Sequence, residues 1–162
     1  MRRLLSVTAL CCLIVAGPWA PAGEKPKAPQ PTKDELKVFE LTNQERKKKE
    51  LAPLVLSPAL NKLARAHSEN MARQEKMDHT LDGKSPFDRM RDAGYRFTKA
   101  GENVGAGEEG TKIEAIVQAW MNSEGHKANI LNPDYTEIGV GIGRTKDGQL
   151  YFTQVFARPQ KK

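Results

Sequence analysis

Four residues of this chain pair a reactive side chain with a backbone setting that can present it: His79, Glu102, Glu124 and His126. Glu124 and His126 belong to the stretch W-M-N-S-E-G-H-K-A-N-I-L, from Trp120 to Leu131. There Trp120 is expected to close an amphipathic helix, and Ser123, Glu124, Gly125 and His126 to form a break that points polar groups into a cleft. Glu102 and His79 are expected to converge on that break. Two neutral imidazoles and a carboxylate (His79, His126 and Glu102) make an incomplete ligand set for zinc or another divalent cation, with water completing it. Zinc held this way would lower the pKa of a bound water to about 7 and support hydrolysis. Without a metal, Glu102 beside a histidine can serve as a general base. The plainer reading is that Glu102 caps the N–H groups of its own turn, where glycines stand at 101, 105 and 107, and that His126 hydrogen-bonds nearby. Ser68, Ser85 and Ser123 lack the context of a nucleophile elbow. The glycine-rich stretch lacks the lysine and hydroxyl residue of a phosphate-binding loop.

The elements that must position these groups announce themselves by caps and periodicity. Thr32 and Glu35 form a capping box that predicts a helix from Lys33 to about Lys49. Leu36, Phe39, Asn43 and Arg46 share one side of it, with Val38 and Leu41 elsewhere, so burial on more than one side is expected. Ser57-Pro58 predicts a second helix start, followed by an apolar stripe of Leu60, Leu63, Ala64, His67 and Met71. His67, in the middle of that stripe, reads as a hydrogen-bonded core residue rather than a catalyst. His79 falls in the loop beyond. Ser85-Pro86 opens a short helix ended by Gly94, and Tyr95-Arg96-Phe97 alternates like a strand. Thr111 and Glu114 repeat the capping-box signal before Ile113, Ile116, Val117 and Trp120. Ile138, Val140 and Ile142 then alternate with glycines, a pattern that leaves one strand face bare for close packing. Asp147-Gly148 marks a hairpin turn before a last strand over 150–156. Helices first and a hairpin last give an α+β chain.

The 162 residues suit one domain with attachments. Residues 1–22 read as a secretory signal, with Arg2 and Arg3 before an apolar run and Ala20-Pro21-Ala22 as the cleavage site. Residues 23–33 read as a proline-rich tether, leaving 34–160 for the domain. Both cysteines, Cys11 and Cys12, lie in the signal, so the mature domain would hold together by its core without disulfides and without a membrane span. The net charge of +6 falls to +4 once Arg2 and Arg3 leave. That mild excess, with no aromatic-interleaved basic patch, excludes nucleic acid as the expected partner.

Asn43 with Arg46, His79, G-E-N at 101–103, the Trp120–Leu131 stretch, G-V-G at 139–141 and F-T-Q-V-F at 152–156 occur together and in order. In these the chain resembles the CAP superfamily of cysteine-rich secretory, antigen 5 and pathogenesis-related proteins, and in particular its cysteine-poor bacterial branch. The resemblance implies a three-layer α-β-α sandwich with a central antiparallel sheet and a solvent-facing cleft. In animal and plant members two histidines and two glutamates line that cleft, and some hold a divalent ion. His79 matches the first histidine and Glu102 the G-E-N glutamate. The second glutamate falls at Ser123, one residue before Glu124, and the second histidine at Tyr151, so that His126 can stand in for it only from another loop. The function expected is a secreted or periplasmic, envelope-associated binding module, monomeric, whose cleft takes a lipid, glycan or protein ligand, with no cofactor or with a divalent ion such as zinc. A dedicated enzyme is not expected. The alternatives are a metal-assisted or acid–base hydrolase of envelope polymers or peptides, and a structural surface protein with a vestigial cleft.

Overall fold

The alternation of Gly139, Gly141 and Gly143 with Ile138, Val140 and Ile142 decides how the layers stack. In the computed structural model, which describes residues 30–160, the elements in chain order are helix α1 (Lys33–Lys47), strand β1 (Val55–Leu56), helices α2 (Pro58–Gln74) and α3 (Pro86–Asp92), strand β2 (Phe97–Gly107), helices α4 (Ile113–Asn122) and α5 (Glu124–Ile130), and strands β3 (Glu137–Arg144) and β4 (Leu150–Pro159). The signal, its cleavage site, Cys11, Cys12 and most of the tether lie outside the described residues. The sheet order is β1-β3-β4-β2, antiparallel across the three long strands, with two residues of β1 added in parallel at one margin.

The bare face of β3 carries α2. A Cβ added at Gly139, Gly141 or Gly143 would stand 2.1, 2.1 and 2.2 Å from backbone atoms of Leu60, Arg65 and Ser68. Only glycine lets the helix come this close. On this side Leu60 and Ala64 pack with Val155 and Ala157, and Met71 with Val104 and Tyr151. On the other side Ile138, Val140, Phe152 and Phe156 meet Val38, Ile116, Val117, Trp120 and Tyr135. These two cores give the α-β-α layering.

Several local expectations are corrected. The buried line along α1 is Glu35, Val38, Thr42 and Arg46, while Leu36 stays 37% exposed. The helix tolerates polar burial because each group has a partner. Arg46 gives hydrogen bonds to the carbonyls of Ala52, Ile130 and Asn132 at 2.8–2.9 Å. Glu35 keeps its capping box and also pairs with Arg65 and accepts from the Ile142 N–H. Ser57 and Thr111 make no cap bond, and the N-cap of α4 is Lys112. The break after Trp120 is a single extended residue, Ser123, with Glu124 already inside α5. The glycine-rich stretch is no turn. It runs as β2, paired with β4 from Phe97 to Gly107, and Tyr95 and Arg96 precede it.

Gly141→Ala is expected to destabilise the protein by about 3 kcal/mol, because helix backbone cannot yield as a side chain would. Gly125→Ala, with open space at its Cβ within α5, is expected to stabilise it by about 0.5 kcal/mol. Urea unfolding measures both, and wild-type stability in Gly141→Ala would refute the close seating of α2.

Candidate functional site

Strand β2 pairs through residues on alternate sides, and Glu102 falls on the α2 side of it. Its carboxylate is almost wholly buried, with a side-chain exposure of 1%. Oε1 accepts from His79 Nδ1 at 2.9 Å, and Oε2 accepts from Arg89 Nη2 at 2.5 Å. Arg89 Nη1 also donates to the carbonyls of His79 and Lys84 at 2.9 and 3.0 Å. One guanidinium thus ties the loop after α2, the start of α3 and the strand to a single carboxylate. Glu102 anchors this loop through Arg89; it does not cap a turn of its own.

His79 keeps 49% of its side chain exposed, so its bonded nitrogen faces the carboxylate and Nε2 is left for an outside partner. Glu102 holds its pKa above the ordinary value, through the hydrogen bond first and against the opposing effect of burial. His67 lies behind the pair, fully buried. Its Nε2 donates to the Asp78 carbonyl at 2.9 Å and stands 3.8 Å from Glu102 Oε1, while Nδ1 has no partner. Burial drives its pKa down despite the nearby carboxylate, so the ring is neutral. The expected core role of His67 is therefore joined to the site as its wall.

His126 is half-buried on α5. Its carbonyl accepts from Asn103 Nδ2 at 3.0 Å. Burial lowers its pKa first, and the charge of His79 adds to the effect. Glu124 is exposed in the first turn of α5, where a carboxylate suits the helix dipole. Tyr151, 5% exposed, packs with Met71, Leu81 and Val104. Of the named residues, the structure joins His79 to Glu102 directly, leaves His126 near enough to feel the charge of His79 but not in contact, and leaves Glu124 and Tyr151 outside.

The donor set bears on a metal. Both oxygens of Glu102 are engaged, one by a cationic guanidinium, and among the described residues no three His, Cys, Asp or Glu side chains are grouped to hold an ion. The trio His79, His126 and Glu102 does not fit a three-ligand centre in this arrangement. Glu102 instead orients His79 from behind.

Sequence reasoning missed Arg89 and the buried relay under the site. Gln154 Nε2 donates to Thr42 Oγ1 at 2.7 Å, Asn103 Nδ2 to Gln154 Oε1 at 3.1 Å, and Asn129 Nδ2 to Asn103 Oδ1 at 2.9 Å. The signal was present in part, since G-E-N, T-Q and N-I-L each place one amide in this chain of bonds.

A sandwich whose glycine-faced strand carries one helix, and whose edge glutamate holds a loop histidine, is the CAP type of domain. The family model described as "Cysteine-rich secretory protein family" matches residues 39–156, and the chain belongs to that family. The Bacillus subtilis protein YkwD is 49% identical over 125 residues, covering 76% of this chain and 47% of its own length. An outer surface protein of Borrelia burgdorferi superposes with a TM-score of 0.73 at 26% identity, covering 81% of this chain and 97% of that one. An extracellular protein with an SCP domain from Bacillus anthracis gives a TM-score of 0.68 at 32% identity, covering 77% and 40%. The chain spans about half the length of YkwD. Among the described residues no helix is long and apolar enough to cross a membrane.

In an NMR titration His79 is expected to protonate above the ordinary histidine value of about 6.5, with His67 and His126 below it. By linkage, the His79 pair stabilises the fold below the unfolded-state pKa and loses that contribution as pH rises through the folded one, whereas buried His67 weakens the fold as pH falls below about 6.5. Glu102→Gln should bring the His79 pKa down and cost about 3 kcal/mol by stranding Arg89. A His79 that titrates below 6.5 in the wild type would show that the pair does not form in solution.

Proposed function

We propose that this chain is an exported, envelope-associated binding module that takes its ligand where His79 and His126 approach the edge of β2. The observation that carries this reading is the state of Glu102. With Arg89 on one oxygen and His79 on the other, it has a positioning task, and the site is built to hold a half-exposed imidazole in place. The outer surface protein of B. burgdorferi and the extracellular protein of B. anthracis support an address beyond the plasma membrane, reached after signal cleavage near Ala22. Envelope lipids, glycans and proteins are the ligand classes this address offers, and the domain would meet them as a monomer.

A second reading, an acid–base hydrolase of envelope polymers or peptides, draws on the same pair. A carboxylate that orients one imidazole nitrogen leaves the other to exchange a proton with substrate. The raised pKa of His79 favours its acid form, so this ring would serve leaving groups better than it would activate water.

The test uses purified protein with isolated envelope fractions, lipid vesicles and peptidoglycan sacculi. His126→Ala is expected to keep the wild-type melting temperature, His79→Ala to stay folded with a lowered one because Glu102 loses a partner, and both to lose binding about ten-fold or more, as removal of a contact residue does. Retained binding in both would sink the cleft reading, and turnover that depends on His79 would favour the hydrolase. Zinc is expected to bind weakly, with only two imidazoles free; tight binding lost in His79→Ala would restore a metal site.

A further inference from the structure

The two margins of the sheet are finished differently. At one margin β3 runs on past the two residues of β1, and there two outward N–H groups are taken: Val140 donates to Asn61 Oδ1 at 2.9 Å and Ile142 to Glu35 Oε1 at 3.3 Å. In an antiparallel ladder both polar groups of a residue point the same way. Val140 and Ile142 therefore face outward, and Gly139, Gly141 and Gly143 bond to Val155, Thr153 and Tyr151 of β4. The alternate residues of β4, Phe152, Gln154 and Phe156, then face β2 and bond to Gly105, Asn103 and Gly101. It follows that Glu102, Val104 and Ala106 turn their N–H and C=O groups away from the sheet.

Two of those carbonyls are met by side chains. Asn129 Nδ2 donates to Glu102 O at 3.2 Å and Trp120 Nε1 to Val104 O at 2.9 Å. The N–H groups of Glu102, Val104 and Ala106 find no acceptor among the described residues. They form a row of donors with a two-residue repeat, about 7 Å apart along the strand. His79 is fixed at one side of this row by Glu102, and His126 is fixed at the other by Asn103. Ala106, at the open end, is exposed.

We propose that an extended segment of a partner protein adds to the outer edge of β2 between His79 and His126, its carbonyls accepting from the N–H groups of Glu102, Val104 and Ala106. The proposal rests on the binding-module reading and names its ligand class. A strand presents carbonyls at the repeat of these donors, whereas an acyl chain presents none. A second copy of this chain is the poorer occupant. Its own edge carbonyls at Glu102 and Val104 are already engaged, and the missing partners are acceptors.

The test begins with hydrogen exchange on the free protein. The amides of Glu102, Val104 and Ala106 are expected to exchange fast beside protected Asn103 and Gly105, and protection of all three would overturn the geometry. A phage-displayed random-peptide library selected on the intact protein then supplies probes. The enriched peptides should shift and protect those three amides. Ala106→Pro removes one outward donor without breaking a ladder bond. It should melt as the wild type does and bind the peptides about ten-fold more weakly, the scale of one backbone hydrogen bond. Replacing single carbonyls along a selected peptide by thiocarbonyls, which are weaker acceptors, should weaken binding at alternate residues only, a readout independent of how the variant folds. Peptides that bind elsewhere, or bind Ala106→Pro equally well, overturn the proposal. So does a dimer that Ala106→Pro dissolves, which would make a second copy the occupant. If no peptide is enriched while vesicles or sacculi bind through His79 and His126, this inference fails and the binding module stands. If nothing binds, both fall.

Discussion

The contact on which the rest depends is helix backbone against strand backbone, α2 on the glycine face of β3. Side chains would hold the layers about 10 Å apart; three glycines let them close. The seating fixes the height of α2 above the sheet along its length. The buried end of the helix thereby brings His67 to Glu102, and the loop that follows starts where His79 can reach the same carboxylate. A helix lifted by one methyl group would carry both rings away from the strand.

The opposite layer, packed on its apolar core, is positioned in addition by buried polar groups. Arg46, 1% exposed, has no carboxylate partner among the described residues, and burial lowers its pKa. Its charge is balanced by backbone carbonyls, two of them at the negative end of α5, Ile130 and Asn132. This arrangement makes α5 the counterion of α1. The amide relay through Thr42, Gln154, Asn103 and Asn129 pins the same helix to β2. Buried networks of this kind specify position because any shift leaves a polar group unmatched. His126 owes its place to that pinning, through its own carbonyl.

How much of this was legible in the sequence follows from range. The capping box at Thr32 and Glu35, the proline at the start of α2 and the alternating glycines are local signals, and they placed the layers. His79 and Glu102 could be named because a loop histidine and a carboxylate among glycines are unusual. Their partner could not. Arg89 sits in a short helix among Asp88, Arg91 and Asp92, where a basic residue looks like solvated surface, and only the folded chain shows its fork on a strand. Gly125 read as a breaker, yet packing on β2 carries α5 through it. Glu35 read as a cap and is also the seal of an edge, a task set 107 residues away. The second histidine of the resemblance fell at Tyr151, which proved to be core. Periodicity reports which side of an element is buried and is silent on which polar groups meet there.

The unlike finish of the two margins has a consequence for polymer growth. Filaments built by strand addition need two complementary margins on each subunit, so that every newcomer exposes a fresh acceptor for the next. Here one margin is covered in part by β1, and beyond it Asn61 and Glu35 take the N–H groups of Val140 and Ile142. Copies of this chain therefore lack the pair of open, complementary margins that head-to-tail strand addition requires. The fold thus carries one open strand edge with little means of propagating it into a fibre of its own copies.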